Sequence, residues 1–155
     1  MPDPTDVAAE NIANRTVDVK ALREFMYSRL MAFSALANFT AYNYIGSGTT
    51  EEVVAGILEL EAPNALVLVY NDSQYGYEPM ADRTFAVYLA IRSAKLYVKD
   101  FTNDPMSDAV KAVILALDKW APDGHCRLKV TRDSTVPSSS QTMAVAEVTV
   151  KAEDQ

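Results

Sequence analysis

One histidine and one cysteine are all the chain offers for nucleophilic or nitrogen–sulfur metal chemistry, and they are neighbours, His125 and Cys126, in the run PDGHCR. Adjacent residues on a strand point to opposite faces, so the two side chains are badly placed to share a proton, and no third orienting group stands near them in sequence. A partly buried thiol beside an exposed turn histidine is the simpler reading. Oxygen chemistry is the remaining option. Asp72, Glu78 and Asp82 lie in the stretch NDSQYGYEPMADR, Asn71 to Arg83, but their spacing lacks the dense acidic pattern of a calcium loop. Solvated carboxylates that keep a loop soluble account for them without a metal. No GxxxxGK[ST], GxGxxG or GxSxG pattern occurs, and the Gly46 to Gly48 turn leads to Glu51 and Glu52, which would repel an anion at the helix start that follows. No catalytic, cofactor-binding or metal-ligating set is therefore expected.

The same stretch holds Tyr75, Tyr77 and Met80, with Tyr70 just before it, and Tyr and Met are favoured at protein contacts. A docking surface made of Tyr70, Asp72, Tyr75, Tyr77, Glu78, Met80 and Arg83 is the reading carried forward; local packing over a sheet edge is the alternative. A second long polar stretch, Arg132 to Thr142, adds Asp133, Val136 and Ser139 as candidate contact residues. Loops of this length inside a small domain are usually functional or disordered.

Composition bounds what can position these residues. With 155 residues, 49% hydrophobic and 23% charged, one globular unit is expected. The lone cysteine excludes an internal disulfide. Net charge is −7, with Lys and Arg scattered, the reverse of what a phosphate-neutralising surface needs, so no specific nucleic-acid binding is expected. The acidic, Pro-containing start MPDPTD is unlike a signal peptide, and the apolar stretch Leu30 to Ala37 is too short to span a bilayer.

Residues 1–16 read as a flexible arm, which could order on a neighbouring subunit, and 17–155 as a single domain. From Val17, apolar residues at three- and four-residue steps predict an amphipathic helix of about five turns ending near Asn38. Thr49 and Glu52 have capping-box spacing and open a second helix. ALVLVY (Ala65 to Tyr70) and TFAVYLAIR (Thr84 to Arg92) carry no charge on either face before Arg92, as central strands covered on both sides would. Ser107 is the expected N-cap of a third helix running to about Trp120. Two half-exposed strands follow, around Leu128 and Val148. The aromatic group Phe39, Tyr42, Tyr44 and Trp120 reads as core or as subunit interface. The expected fold is α+β: a mostly antiparallel four-stranded sheet packed by about three helices, in the order α-α-β-β-α-β-β.

This arrangement resembles the Mu-like phage tail terminator family. The similarity lies in a proline-led strand (Pro63, then Ala65 to Val69), a variable loop, and a strand of the RxxxFxVYVxxR type, here Arg83, Phe85, Val87, Tyr88, Leu89, Ala90 and Arg92. Around it, the basic strand entry and Gly-containing turn of other members are replaced by MADRT and SAKLYVKD. The resemblance implies a structural virion protein with no catalytic residue. It would form a hexameric ring at the head-proximal end of the tail, capping the tail tube and meeting neck or connector proteins, with the sheath as a further partner in contractile tails. DNA would pass through such a ring, no membrane would be involved, and assembly would occur in the bacterial cytoplasm. Another neck or head–tail completion protein is the runner-up; a small-molecule-binding α+β domain or an enzyme is the reading from a different class.

Overall fold

The computed structural model describes residues 19–46, 48–75, 81–93, 96–122 and 126–154. The arm at 1–16 and His125 lie outside them. Helix α1 (Val19–Met31) buries Leu22, Met26 and Leu30, one residue per turn on one stripe. It is shorter than the five turns expected. Phe33 leaves the helical basin (φ −88°, ψ 128°), and a 3-10 turn at Ser34–Leu36 redirects the chain, so that Leu36 and Phe39 enter the core.

That redirection delivers a strand the sequence reading did not anticipate, β1 (Thr40–Tyr44), aligned parallel to β2 (Asn64–Tyr75) with Thr40 opposite Ala65 and Tyr44 opposite Val69. Parallel neighbours require a crossover, and α2 (Thr50–Leu58) is that crossover. Its start is as expected: the Glu52 backbone N–H donates to Thr49 Oγ1 at 3.3 Å.

β3 (Ala81–Arg92), α3 (Pro105–Leu117), β4 (Cys126–Val136) and β5 (Met143–Asp154) complete a five-stranded sheet of order β1-β2-β3-β5-β4, antiparallel except at β1–β2. The α+β, mostly antiparallel expectation holds, with one strand more than the four counted from sequence. Asp104, not Ser107, caps α3. Pro105 supplies the first helical residue, which needs no N–H, and the Asp104 carboxylate accepts the Ser107 N–H at 3.0 Å and its hydroxyl at 2.8 Å. The helix also stops earlier than expected, at Leu117, because Asp118 is extended and Lys119 is left-handed (φ 64°).

Two cores result. On one face α1, the 3-10 turn and α3 cover Leu66, Leu68, Phe85, Val87, Leu89, Val148, Val150 and Leu128. On the other, α2 lays Val53, Val54 and Ile57 over Ala65, Val67, Val69, Ala86, Tyr88 and Ala90. The uncharged alternation in β2 and β3 is thereby explained: both strands are central and both of their faces are buried.

Candidate assembly surfaces

The stretch Asn71 to Arg83 is mostly hairpin rather than loop. β2 runs to Tyr75, β3 begins at Ala81, and a bulge between Tyr70 and Asp72 shifts the register. Tyr70 is half-buried, its ring centroid 5.5 Å from that of Phe85 and 5.6 Å from the Arg23 guanidinium carbon. Arg83 is buried at 7% exposure. Asp72 is exposed. Tyr75 ends β2 in the ladder opposite Ala81, while Tyr77, Glu78 and Met80 lie outside the described residues. The hairpin thus anchors Tyr70 and Arg83 in the domain and carries Asp72 outward.

The second stretch also turns out to be largely ladder. β4 continues to Val136 through a bulge after Val130, leaving the turn to residues 137–142. Asp133 and Ser139 are exposed, and Val136 packs against the α2-side core.

Two arginines have structural employment the sequence did not reveal. Arg92 Nη2 donates to the carbonyls of Ile57 (3.0 Å), Leu58 (2.9 Å) and Leu60 (2.7 Å), and its Nε to Ala62 at 3.2 Å. A cation here satisfies the open C-terminal carbonyls of α2 and opposes the negative end of the helix dipole. Arg29 stacks its guanidinium over the rings of Trp120 (5.3 Å) and Phe33 (5.6 Å) and donates to the Ala116 carbonyl at 3.2 Å, tying the end of α1 to α3. Trp120 is accordingly a packing residue of this junction.

Three surface depressions stand out. The widest, about 820 Å³, runs between α1 and β1. Arg23 lines it, donating to Asn43 Oδ1 at 2.9 Å while its buried Nε has no partner, and burial pulls the guanidinium pKa below its ordinary value. A second, about 380 Å³, lies under the 96–101 connection and includes Asp100 and Asp104. Both carboxyls are held below the usual carboxylate range, Asp100 by the hydroxyl and N–H of Thr102, Asp104 by the N–H and hydroxyl of Ser107. Carboxylates committed to local caps are poor general bases at neutral pH. The third, also about 380 Å³, separates α3 from the far end of β4.

Tyr88 has a raised pKa because it is desolvated, while its hydroxyl donates to Thr50 Oγ1 at 3.3 Å. It bonds α2 to the sheet. Cys126 is buried at 1% exposure in the α1/α3 core, away from any described depression. Among the described residues no group of three or more His, Cys, Asp or Glu could hold a metal ion.

An exposed apolar segment among the described residues was not singled out from sequence. Tyr97 and Phe101 are 97% and 96% exposed, and Val98 and Leu96 stand beside them on the connection to α3. Its only sequence signal was the apolar content of a segment with no period. No described helix is long and apolar enough to cross a membrane.

No protein-family model matches the chain, and no curated protein matches it by sequence. Among solved structures, a chain from the virion of the native gene transfer agent particle is similar in fold, with a TM-score of 0.56 and 16% sequence identity. The match covers 83% of this chain and 90% of that chain. At this identity the likeness is one of fold.

Proposed function

We propose that this chain is a structural, non-enzymatic subunit of a phage-like particle, and within it a tail terminator: a ring, six-fold by the family resemblance, that caps the tail tube and meets neck or connector proteins at the head-proximal end. The observation that carries the reading is the fold likeness to a virion chain over most of both proteins. It converges with the resemblance of the Pro63 to Arg92 region to tail terminators. In sequence identity the two proteins are far apart, so what they share is a scaffold rather than a set of contact residues.

The scaffold suits such a role. A ring subunit needs separate surfaces for its neighbours, for the tube and for the connector, held on a rigid core. The sheet supplies the core, and the Asn71–Arg83 hairpin, the Asp133 to Ser139 region and the exposed Leu96 to Phe101 segment are three surfaces at different places on it. On this reading Tyr75, Tyr77, Glu78 and Met80 meet a partner, as does Asp72, while Tyr70 and Arg83 are held in the domain. Asp133, Val136 and Ser139 belong to a second contact. DNA passes through the ring without being gripped, in keeping with the acidic balance of the chain.

Negative-stain microscopy of the purified protein, alone and mixed with its tail-tube protein, tests the reading. Rings that seat on tube ends are expected. A species that remains monomeric and never decorates tubes overturns it, and rings that bind a connector but ignore tubes move the protein to the neck.

A further inference from the structure

The charge of this chain is not spread evenly. Residues 30–82 hold seven acidic side chains and neither Lys nor Arg, which equals the net charge of the whole protein. Four of those acids, Glu51, Glu52, Glu59 and Glu61, are exposed on α2 or just beyond its C-terminus. Between them α2 presents Ala55 and Gly56, both exposed, and nothing lies within 4 Å of where a Gly56 side chain would begin. The outer face of α2 is therefore flat, small-featured and acidic at both ends.

The opposite sign collects at the other end of the sheet. Cys126 and Leu128 enter the α1/α3 core, so the alternating Arg127 and Lys129 project from the α2 side, where both are exposed. The bulge after Val130 aligns Arg132 with Thr149, which shares that side, and Lys151 stands opposite Lys129. Two lysines directly across a strand pair repel each other. Glu153, at 3.8 Å from Lys151 Nζ and opposite Arg127, and Glu147, on the same side opposite Ser134, offset this in part, which leaves Arg127, Lys129, Arg132 and Lys151 in excess by two charges. Among the described residues no helix lies over this half of the sheet face: its buried residues stop at Met143 and Val145, and beyond them Glu147, Thr149, Lys151 and Glu153 are partly exposed and Arg127, Lys129 and Arg132 exposed.

We infer that copies of this chain associate head to tail, the basic β4–β5 strip of one copy seating on the acidic outer face of α2 in the next. The inference names the subunit contact of the ring and so rests on the preceding reading. The dimensions agree. The acids at the two ends of α2 are about 12 Å apart along the helix, and Arg127 and Arg132 about 15 Å apart along their strand. A head-to-tail contact of this kind pairs opposite charges at every junction and either closes into a ring or propagates as a chain, whereas the same two patches paired reciprocally across a two-fold axis would stop at a dimer, a mass that would overturn the head-to-tail arrangement. Seating α2 of a neighbour on this half-face also supplies a layer that none of the described helices provides, with Ala55 and Gly56 permitting close approach.

A charge exchange tests it, read as oligomer mass by sedimentation and native mass spectrometry in low salt. Lys129→Glu with Arg132→Glu, and separately Glu51→Lys with Glu59→Lys, are each expected to lower self-association at least ten-fold, with thermal midpoints near wild type. Mixing the two variants, or combining all four changes in one chain, is expected to restore assembly, because every contact again pairs opposite signs. Wild-type association should also weaken steeply with added salt, a readout that survives even if a variant fails to fold. Variants that assemble like wild type, or an exchange that restores nothing, overturn the inference while leaving the ring reading intact. Salt-sensitive open chains that never close support the inference and defeat the terminator reading. A wild-type protein that stays monomeric defeats both.

Discussion

The two faces of the sheet are built differently. Beneath α1 and α3, burial runs from Leu66 and Leu68 on β2 through Phe85 and Val148 to Cys126 and Leu128 on β4. Beneath α2, burial covers β2 and β3, reaches Met143 and Val145, and ends; Thr149, Lys151 and Arg127 are left at or near the surface. The first face is the source of most of the stability, since apolar area removed from water scales with the size of the covered patch. The second leaves a platform that can be charged without disturbing the fold. A change on one face should therefore be felt in folding, and a change on the bare part of the other in assembly.

The sharpest way to break that division is to cut into the covered face. Phe85→Ala removes a fully buried ring at the centre of the α1/α3 core and is expected to cost about 3–5 kcal/mol in chemical denaturation. If the loss is under about 1 kcal/mol, that face is not the main core.

A smaller effect is expected where α2 meets the sheet. Arg92→Ala leaves the carbonyls of Ile57, Leu58 and Leu60 without their cationic donor, for a loss of about 2–3 kcal/mol. For a domain of this size that is about 5–10 °C in thermal midpoint. Arg92→Lys, with one charge and no planar fork, should recover only part of it. Full recovery would mean that charge alone matters there.

The smallest effect belongs to the cap of α3. The folded-state pKa of Asp104 is depressed by its bonds to Ser107, so its contribution is present above the unfolded carboxyl pKa and disappears as pH falls through the lower folded value. Asp104→Ala should melt slightly below wild type at neutral pH, and the two should converge in acid. A gap that is unchanged in acid would show that the carboxylate is not the stabilising species.

These comparisons also show where the sequence was readable. The burial of β2 and β3 on both faces was legible in the uncharged runs Ala65 to Tyr70 and Thr84 to Ile91, and the α2 cap in the pairing of Thr49 with Glu52, because both are local patterns. β1 was not legible. Its five residues mix Thr, Ala, Tyr and Asn without alternation, and only the parallel alignment with β2 makes them a strand. The cap of α3 was misplaced by three residues because Ser107 looks like a cap until Pro105 is recognised as the first helical residue. Both long polar stretches were taken as loops because charged and polar residues at strand ends look the same as turns until a partner strand shows the ladder continuing.

The candidate contact residues divide in the same way. Exposure of Asp72, Asp133 and Ser139 follows from their polarity, whereas the burial of Arg83 and the half-burial of Tyr70 follow from their neighbours. The exposed Tyr97 and Phe101 reverse the usual expectation for aromatic residues, and nothing local marks them.

By itself the sequence determined the class of the fold, the identity of its central strands and the scarcity of nucleophilic and metal-binding side chains, since composition and short-range periodicity are properties of the chain alone. Tertiary structure decided which helix lies on which face, and with it that Arg92 closes α2 and that none of the described helices covers the basic end of the sheet. Those outcomes depend on contacts between residues tens of positions apart, and such contacts are set by how the layers fit rather than by any residue's neighbours in sequence.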